Sequence, residues 1–223
     1  MTGKLRSASI AGPAGRLEGL WKEASGPRRG SAVFAHPHPL HGGTMHNKVV
    51  YRAAQALTAA GWETLRFNFR GVGVSEGSFD EGRGEVEDFL AALEEAEAHG
   101  GLPIVAGGFS FGSAVALRAI QGDARIAAFV GAGLPVASVF ATPLPLPPAG
   151  LSSIFVVGER DPFGPPAQLR RFLDSSESVQ IVEISGTDHF FEGKLPELEA
   201  VILEFASSIS IQNPKSKIQN RFA

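Results

Sequence analysis

The sequence predicts a single α/β domain with a mostly parallel central sheet and helices on both faces. Three observations carry this prediction. Short apolar runs of strand length alternate regularly with stretches in which apolar residues recur at helical spacing. The chain has 223 residues, which suits one domain with a full hydrophobic core. Apolar residues make up 43% of the chain and charged residues 19%, as in an ordinary globular protein.

The predicted strands are short apolar runs, several of which lead into glycine-rich or polar loops. The first two, at residues 7–10 and 16–22, alternate polar and apolar residues around Gly12-Pro13-Ala14-Gly15. We therefore expect an antiparallel hairpin at a sheet edge. The other strands are predicted at residues 31–35, 63–69, 102–106, 126–131, 154–158 and 179–184.

The predicted helices fill most of the intervals between these strands. The first shows apolar residues at helical spacing from Val49 to Ala60, followed by Gly61 as a stop signal. The helices are predicted at residues 47–60, 85–99, 111–121, 165–175 and 195–207. The connection 134–150 is rich in proline and has little helical periodicity. We expect residues 1–207 to form the domain and the polar residues 208–223 to be a disordered tail.

Composition and charge exclude several classes of function. The chain has no cysteine, so disulfides, thiolate metal sites and a cysteine nucleophile are impossible. Its formal net charge of −3 argues against a nucleic-acid partner. No apolar run approaches the length of a membrane span, and no signal-peptide core follows the N-terminal basic residues. We therefore expect a cytoplasmic protein without a membrane partner, and the sequence leaves a homodimer open.

A glycine-rich turn, Gly108-Phe109-Ser110-Phe111-Gly112, joins a predicted strand to a predicted helix. In this setting a Gly-x-Ser-x-Gly motif is typical of a nucleophile elbow. The turn is so tight that Ser110 must adopt a strained backbone, and glycines at 108 and 112 remove clashing Cβ atoms. A serine hydroxyl is a poor nucleophile at neutral pH, so the motif also requires a base and an orienting acid.

Ser110, Asp161 and His189 each follow the carboxyl end of a predicted strand. These ends lie along one edge of a parallel sheet, so we expect the three side chains to meet there. His189 would take the proton of Ser110 as general base, and Asp161 would orient and stabilise the imidazole. Asp188 directly precedes His189, but adjacent side chains diverge, so it is interpreted as a turn-former.

Two backbone amides are expected to bind the oxyanion of a tetrahedral intermediate. The amide of Phe111, next to the nucleophile, supplies the first. The second should come from the loop after the strand 31–35, where Pro37 and Pro39 have no N–H. His38 is therefore the predicted donor, with Leu40 as the reserve, and the side chain of His38 is given no role.

Four stretches of the chain together resemble the α/β-hydrolase superfamily, in particular its compact, uncapped bacterial branch related to dienelactone hydrolases and short-chain esterases. The first is His36-Pro37-His38-Pro39 with Gly42-Gly43-Thr44-Met45 and Asn47-Lys48-Val49-Val50. The others are Arg66-Phe67-Asn68-Phe69-Arg70-Gly71 with Gly73 and Ser75-Glu76-Gly77, the elbow itself, and Asp188-His189-Phe190-Phe191. The resemblance implies the α/β-hydrolase fold with a minimal cap, serine hydrolase activity and no cofactor. The family's acid usually lies in a Gly-Asp-x-Asp turn. Glu159 replaces the first Asp here, which leaves Asp161 as the matching acid.

The substrate is less constrained by the sequence. The short connection from Gly133 to Gly150 predicts an open pocket, because larger hydrolases often insert a helical cap at this point. Phe109, Phe163 and Phe190 neighbour the catalytic positions and are predicted to line an apolar acyl site. Hydrolysis of small carboxylic esters or thioesters is therefore the favoured activity.

Two alternatives remain open on the sequence alone. His36, His38 and His41 have the H-x-H-x-x-H spacing of metallo-β-lactamase-type hydrolases, in which imidazoles bind zinc. That family has an Asp where Leu40 stands here, which weakens the metal-dependent alternative. The second alternative is a non-catalytic binding module on a hydrolase scaffold. A complete set of nucleophile, acid and base argues against it.

Overall fold

The structure is a computed structural model that describes residues 3–136, 143–176 and 178–211. Eight strands within these residues form one sheet in the order β1-β2-β4-β3-β5-β6-β7-β8. The strands are β1 Leu5–Gly12, β2 Gly15–Lys22, β3 Gly30–Ala35, β4 Trp62–Phe67, β5 Ile104–Phe109, β6 Ile126–Ala132, β7 Ser152–Gly158 and β8 Val179–Ile184. Strands β1 and β2 form an antiparallel hairpin, and β2 also pairs antiparallel with β4. All other neighbours are parallel, which confirms the predicted mostly parallel sheet.

Five α-helices within the described ranges cover the two faces of the sheet. They are α1 Lys48–Ala59, α2 Arg83–Gly100, α3 Phe111–Ala119, α4 Pro166–Leu173 and α5 Leu195–Ser208. Buried side chains of α1 and α5 belong to one apolar core. Those of α2, α3 and α4 belong to a second core on the opposite face. Helices on both faces bury both sides of the parallel strands, as their near-continuous apolar sequences require.

Many strand bounds differ from the sequence-based prediction by one or two residues, and the ends of β4 and β5 differ for a structural reason. Strand β4 ends at Phe67, not at residue 69, because the Phe69 amide donates to the His36 imidazole instead of a neighbouring strand. Strand β5 runs on to Phe109, three residues past its predicted end. It can do so because Gly107 has no side chain: a Cβ there would lie 2.3 Å from the carbonyl oxygen of Val130.

The predicted tail begins too early. Helix α5 continues through Ser208, and Ile209 is buried in the core that α1 and α5 share. The Arg29 guanidinium donates to the carbonyls of Ala206 and Ile209, which satisfies groups that the end of a helix leaves without partners. Residues 212–223 of the predicted tail and residues 137–142 of the predicted connection lie outside the described residues.

No helix in the described part of the chain is long and apolar enough to cross a membrane.

Candidate active site

Ser110 lies at the turn between β5 and α3, at the carboxyl edge of the sheet. Its backbone has φ 54° and ψ −123°, a conformation that residues with a Cβ rarely adopt. A Cβ at Gly108 would lie 2.4 Å from the carbonyl carbon of Gly112, and one at Gly112 would lie 2.4 Å from the oxygen of His36. Both glycines are therefore required for the chain to turn this tightly. The Ser110 side chain remains partly exposed at the top of the turn.

A chain of hydrogen bonds joins Ser110, His189 and Asp161. The Ser110 Oγ lies 2.9 Å from His189 Nε2, and His189 Nδ1 lies 2.7 Å from Asp161 Oδ2. His189 is 3% exposed and Asp161 2%, so bulk water is excluded from the bond between them. With Nδ1 donating to the carboxylate, Nε2 is left as the acceptor that faces the serine hydroxyl.

The carboxylate of Asp161 is held on both of its oxygens. Oδ2 faces His189, while Oδ1 accepts hydrogen bonds from the amides of Phe163 at 2.9 Å and Gly164 at 3.2 Å. These two amides belong to the loop that follows β7, so the loop itself fixes the orientation of the acid. Such support keeps the acid in the geometry that a base-orienting group needs.

Glu159 ties the loop that carries Asp161 to the loop that carries His189. Its Oε2 accepts hydrogen bonds from the Gly186 amide at 2.7 Å and the Ser185 hydroxyl at 3.0 Å. The Gly186 amide is the main cause that lowers the pKa of this carboxyl. Glu159 was noted in the sequence only as a departure from the Gly-Asp-x-Asp turn. Its position two residues before the predicted acid was the available signal for this positioning role.

Asp188 acts within its own loop, as predicted. Its Oδ1 accepts a hydrogen bond from the amide of Phe190 at 2.9 Å, which is the geometry of an Asx-turn. The side chain is thus engaged by the backbone that follows His189. It leaves Asp161 as the carboxylate bonded to the imidazole.

Aromatic rings surround the His189 imidazole. The ring centroids of Phe109 and Phe163 lie 5.0 and 4.7 Å from that of His189. Phe163 is 49% exposed and Phe190 47%, so both present apolar surface to solvent beside the site. Phe109 is completely buried, which corrects the prediction that it lines an acyl site. Its side chain belongs to the core that α1 and α5 share, and its ring packs against that of His189.

The loop after β3 lies against the elbow and contains the predicted second oxyanion donor. The Leu40 amide donates to Nδ1 of His38 at 3.2 Å, so the reserve donor is already engaged. The amides of His41 and Gly43 both donate to the carbonyl of His38 at 3.1 Å. Within the described residues the amide of His38 has no acceptor. Of the two candidate amides in this loop, only His38 is therefore available to a ligand.

The side chain of His38 has a structural role that the sequence analysis did not assign. It caps the short 3₁₀ turn Pro39–His41 through the bond from Leu40. Its ring stacks on that of His41, with centroids 4.5 Å apart, and contacts Phe79 and Phe111 at 5.0 and 4.9 Å. A second group of aromatic rings thus approaches Ser110 from the side of Phe111.

The histidine cluster is not arranged as a metal site. His36 is fully buried, its Nε2 accepts from the Phe69 amide at 3.0 Å, and its Nδ1 lies 2.6 Å from the Pro37 carbonyl. Burial lowers the pKa of His36 to about 4, so the ring is neutral and both nitrogens are occupied. No three His, Asp or Glu side chains converge as metal ligands in the described ranges. The zinc alternative is therefore not supported by the geometry.

Comparison with known proteins gives matches over most of the chain. Residues 35–151 match the family described as serine aminopeptidase, S33. An uncharacterized protein of Rickettsia prowazekii is 33% identical over 94% of this chain and 95% of its own length.

Two solved structures are similar in both sequence and fold. An α/β serine hydrolase homologue from Coxiella burnetii is 38% identical, with a TM-score of 0.82, over 92% of this chain and 97% of that one. A member of the α/β serine hydrolases without a lid, from Xanthomonas campestris, is 30% identical. Its TM-score is 0.85, and the match covers 95% of this chain and 97% of that one.

Proposed function

Since this chain belongs to the α/β-hydrolase superfamily, through the serine aminopeptidase S33 family, and is therefore a hydrolase, we propose that it cleaves small carboxylic esters or thioesters. The reaction would pass through an acyl-enzyme on Ser110. The observation that carries this proposal is the hydrogen-bonded chain from Ser110 through His189 to Asp161. Nucleophile, base and orienting acid stand in the order and geometry that acyl transfer needs.

In the proposed first step the Ser110 Oγ attacks the carbonyl carbon while His189 Nε2 takes its proton. The buried Asp161 carboxylate stabilises the imidazolium that forms. The oxyanion accepts hydrogen bonds from the amides of Phe111 and His38. His189 then gives the proton to the departing alcohol or thiol, and the acyl group remains on Ser110.

In the second step a water molecule replaces the leaving group. His189 takes a proton from the water as it attacks the acyl carbon, and the same two amides hold the oxyanion. When the intermediate collapses, the C–O bond to Ser110 breaks and His189 returns the proton to the serine oxygen. The products are the carboxylic acid and the original enzyme, so the cycle needs no cofactor.

The surroundings of the site favour small, apolar acyl groups. Phe163 and Phe190 are about half exposed, and Leu40 is 68% exposed. The Xanthomonas relative is a serine hydrolase without a lid, and an equally open site here agrees with these exposed side chains. Such a surface contacts the first carbons of an acyl chain but does not enclose a long one.

A substrate panel tests the proposed reaction. Nitrophenyl esters and acyl thioesters should be hydrolysed by the wild-type protein, with and without EDTA, and aminoacyl nitroanilides should be cleaved much more slowly. Ser110→Ala should lose turnover by about a thousandfold or more, because the acyl-enzyme cannot form. Ser207→Ala, which changes an exposed serine on α5, is the matched control.

Two results of this panel would contradict the proposal. Activity that EDTA removes while Ser110→Ala retains it would exclude the serine mechanism. Aminoacyl nitroanilides cleaved faster than any ester would assign the chain to peptide rather than ester hydrolysis.

Acyl chain length gives a finer prediction about the same site. Each methylene that the protein covers contributes about 0.8 kcal/mol, but an uncovered methylene contributes nothing. The value of kcat/KM should therefore rise from acetyl toward butyryl or hexanoyl esters and then level or fall. Phe163→Ala or Phe190→Ala should weaken hexanoyl more than acetyl hydrolysis. Leu102→Ala, an equally exposed site before β5, should change neither. A kcat/KM that still climbs at dodecanoyl would contradict the open site.

A further inference from the structure

A surface cavity of about 420 Å³ opens between the β1–β2 hairpin, β4 and helix α1. Three of the residues that line it are cations, and none is a carboxylate. The lining residues are Gly3, Lys4, Leu5, Lys22, Tyr51, Ala54, Gln55 and Arg66. The chain as a whole carries a formal charge of −3, so this group of positive charges differs from the average surface. We call this region the cationic cavity.

Strand register brings the two central cations together. Lys22 on β2 pairs with Thr64 on β4, and Arg66 lies two residues further along β4. Side chains of alternate residues share a face of a sheet, so Lys22 and Arg66 both emerge on the side of α1. Tyr51 and Gln55 are one helical turn apart on α1 and face them.

Both cations are buried without an acidic partner. Lys22 is 9% exposed and Arg66 4%. The Lys22 ammonium contacts Oε1 of Gln55, and the Arg66 Nη1 donates to the carbonyl of Met45 at 2.8 Å. Among the described residues no carboxylate lies within ion-pair distance of either side chain. Two positive charges are thus held in the protein with only neutral groups in contact.

The pKa values of Lys22 and Arg66 are both lowered, as expected for two cations that are shielded from solvent. Burial lowers the pKa of Lys22, and the nearby Arg66 adds to that lowering. Burial also lowers the pKa of Arg66, whose guanidinium lies 5.6 Å from the Tyr51 ring centroid. Glu199 acts on Lys22 from a distance, but its carboxylate is bonded to Arg52 at 2.8 Å.

Unused donors remain on every polar side chain of the group. A guanidinium has five N–H bonds and an ammonium three, whereas the side chains of Lys22 and Arg66 each make one hydrogen bond within the described residues. The Tyr51 hydroxyl accepts from Nε2 of Gln55 at 2.6 Å, which leaves its own O–H able to donate. Burying a charge without a partner destabilises the folded protein, and an anion bound from solution would offset that unfavourable free energy.

We propose that the cationic cavity binds the phosphate group of a small molecule. Arg66 and Lys22 would contact its oxygens, the Tyr51 hydroxyl would donate to it, and Lys4 would lie at the mouth. A phosphate group carries close to two negative charges at pH 7 and offers several acceptor oxygens, which suits a planar guanidinium beside an ammonium. The cavity is larger than a phosphate ion, so it has room for the molecule that carries the group.

The cationic cavity is separate from the site around Ser110. Strand β3 lies between β4 and β5, the strand that leads to the serine. Met45 joins the cavity to the segment after β4, since its carbonyl accepts from Arg66 and its amide donates to the Asn68 side chain. Phosphate binding can be measured without turnover, so its test does not depend on the proposed esterase activity.

Calorimetric titration with inorganic phosphate tests the proposal, at pH 7 and constant ionic strength set with chloride. The wild-type protein should show one saturable site. Lys22→Gln should weaken phosphate binding by about tenfold or more, since it removes a charge in contact with the ion. Arg171→Gln removes one exposed positive charge from α4, and it should change the affinity less than about twofold. Tyr51→Phe is the second variant, in case Lys22→Gln does not fold, and should weaken binding severalfold.

Three outcomes would overturn the proposal. The first is the absence of saturable heat when phosphate is added to the wild-type protein. The second is a folded Lys22→Gln protein, or Tyr51→Phe in its place, that binds phosphate as tightly as the wild type, which would place the ion elsewhere. The third is tighter binding of acetate or succinate than of phosphate under the same conditions, which would assign the cavity to carboxylates.

Discussion

The strand ends around Ser110 and the cationic cavity differ in how their buried charged groups are bonded. At the strand ends, Asp161 is bonded to His189 and to two amides, so each buried polar group has a partner in the chain. In the cationic cavity, Arg66 is 4% exposed and Lys22 9%, and within the described residues both side chains contact only neutral groups. In the first region the buried polar groups are paired with one another. In the second, no carboxylate of the described residues contacts either positive charge, and our proposal is that a bound phosphate group does so.

Two arginines on one segment show the same contrast within four residues. Arg70 is bonded through Nε and Nη2 to both oxygens of Asp88, which is fully buried on α2. The Asp88 carboxylate also accepts from the Arg70 amide at 2.9 Å. No carboxylate in the described part of the chain pairs with Arg66 in this way. The described residues therefore provide a counter-ion for Arg70, which anchors the loop after β4, but none for Arg66.

The largest expected effect comes from breaking the complete network at its acid. Asp161→Asn preserves shape, but it should favour the wrong tautomer of His189 and lower kcat by about 10⁴-fold. Ester hydrolysis by purified variants measures this loss. Asp188→Asn is the matched control, since Asp188 neighbours the histidine but bonds only backbone amides. Comparable activity in Asp161→Asn and the wild type would remove Asp161 from the mechanism.

A second change would make Arg70 resemble Arg66. Asp88→Asn removes the carboxylate from a buried ion pair, and the unfolding free energy should fall by about 3–5 kcal/mol because a charge is left unpaired. Urea unfolding followed by circular dichroism measures it. Glu97→Gln, on the same helix but in the exposed pair with Arg125, should cost far less. Equal losses in the two variants would mean that the burial of the Arg70 pair has no energetic consequence.

A smaller effect concerns His36, a buried group that stays neutral. Its folded pKa of about 4 lies below the unfolded value near 6.5, so below pH 6.5 the unfolded chain binds the proton more readily. Stability from this residue is therefore present above pH 6.5 and lost as the pH falls toward 4. Between pH 7 and 4.5 the wild type should lose about 2–3 kcal/mol more than His36→Gln.

Urea unfolding at the two pH values measures the His36 effect. His46→Gln is the control, because that histidine is exposed and should leave the acid sensitivity of the wild type unchanged. An acid loss in His36→Gln as large as in the wild type would show that His36 does not carry the sensitivity.

The arrangement around Ser110 was predictable because its signals are local. Each of Ser110, Asp161 and His189 follows a run that reads as a strand, and the ends of parallel strands meet at one edge. The glycines at 108 and 112 mark the turn directly, since the backbone there leaves no space for a Cβ. Motif and topology together therefore determine which side chains meet.

The remaining features depend on packing that the sequence does not express. Phe109 is an aromatic residue beside Ser110, which suggests a pocket wall, but β5 continues through it and its side chain is buried in the core. The His38 side chain gained its capping role from a 3₁₀ turn that no periodicity indicated. Lys22 and Arg66 meet only because β2 pairs with β4, an order that local patterns do not reveal.

Labelling with a fluorophosphonate, followed by mapping of the adduct by mass spectrometry, tests whether His189 activates Ser110 as a nucleophile. We expect one adduct, on the peptide that contains Ser110. It should be absent in Ser110→Ala and form far more slowly in His189→Gln, since the hydroxyl then lacks its base. An adduct that persists in Ser110→Ala would show that Ser110 is not the nucleophile, and one that forms at the wild-type rate in His189→Gln would show that His189 is not its base.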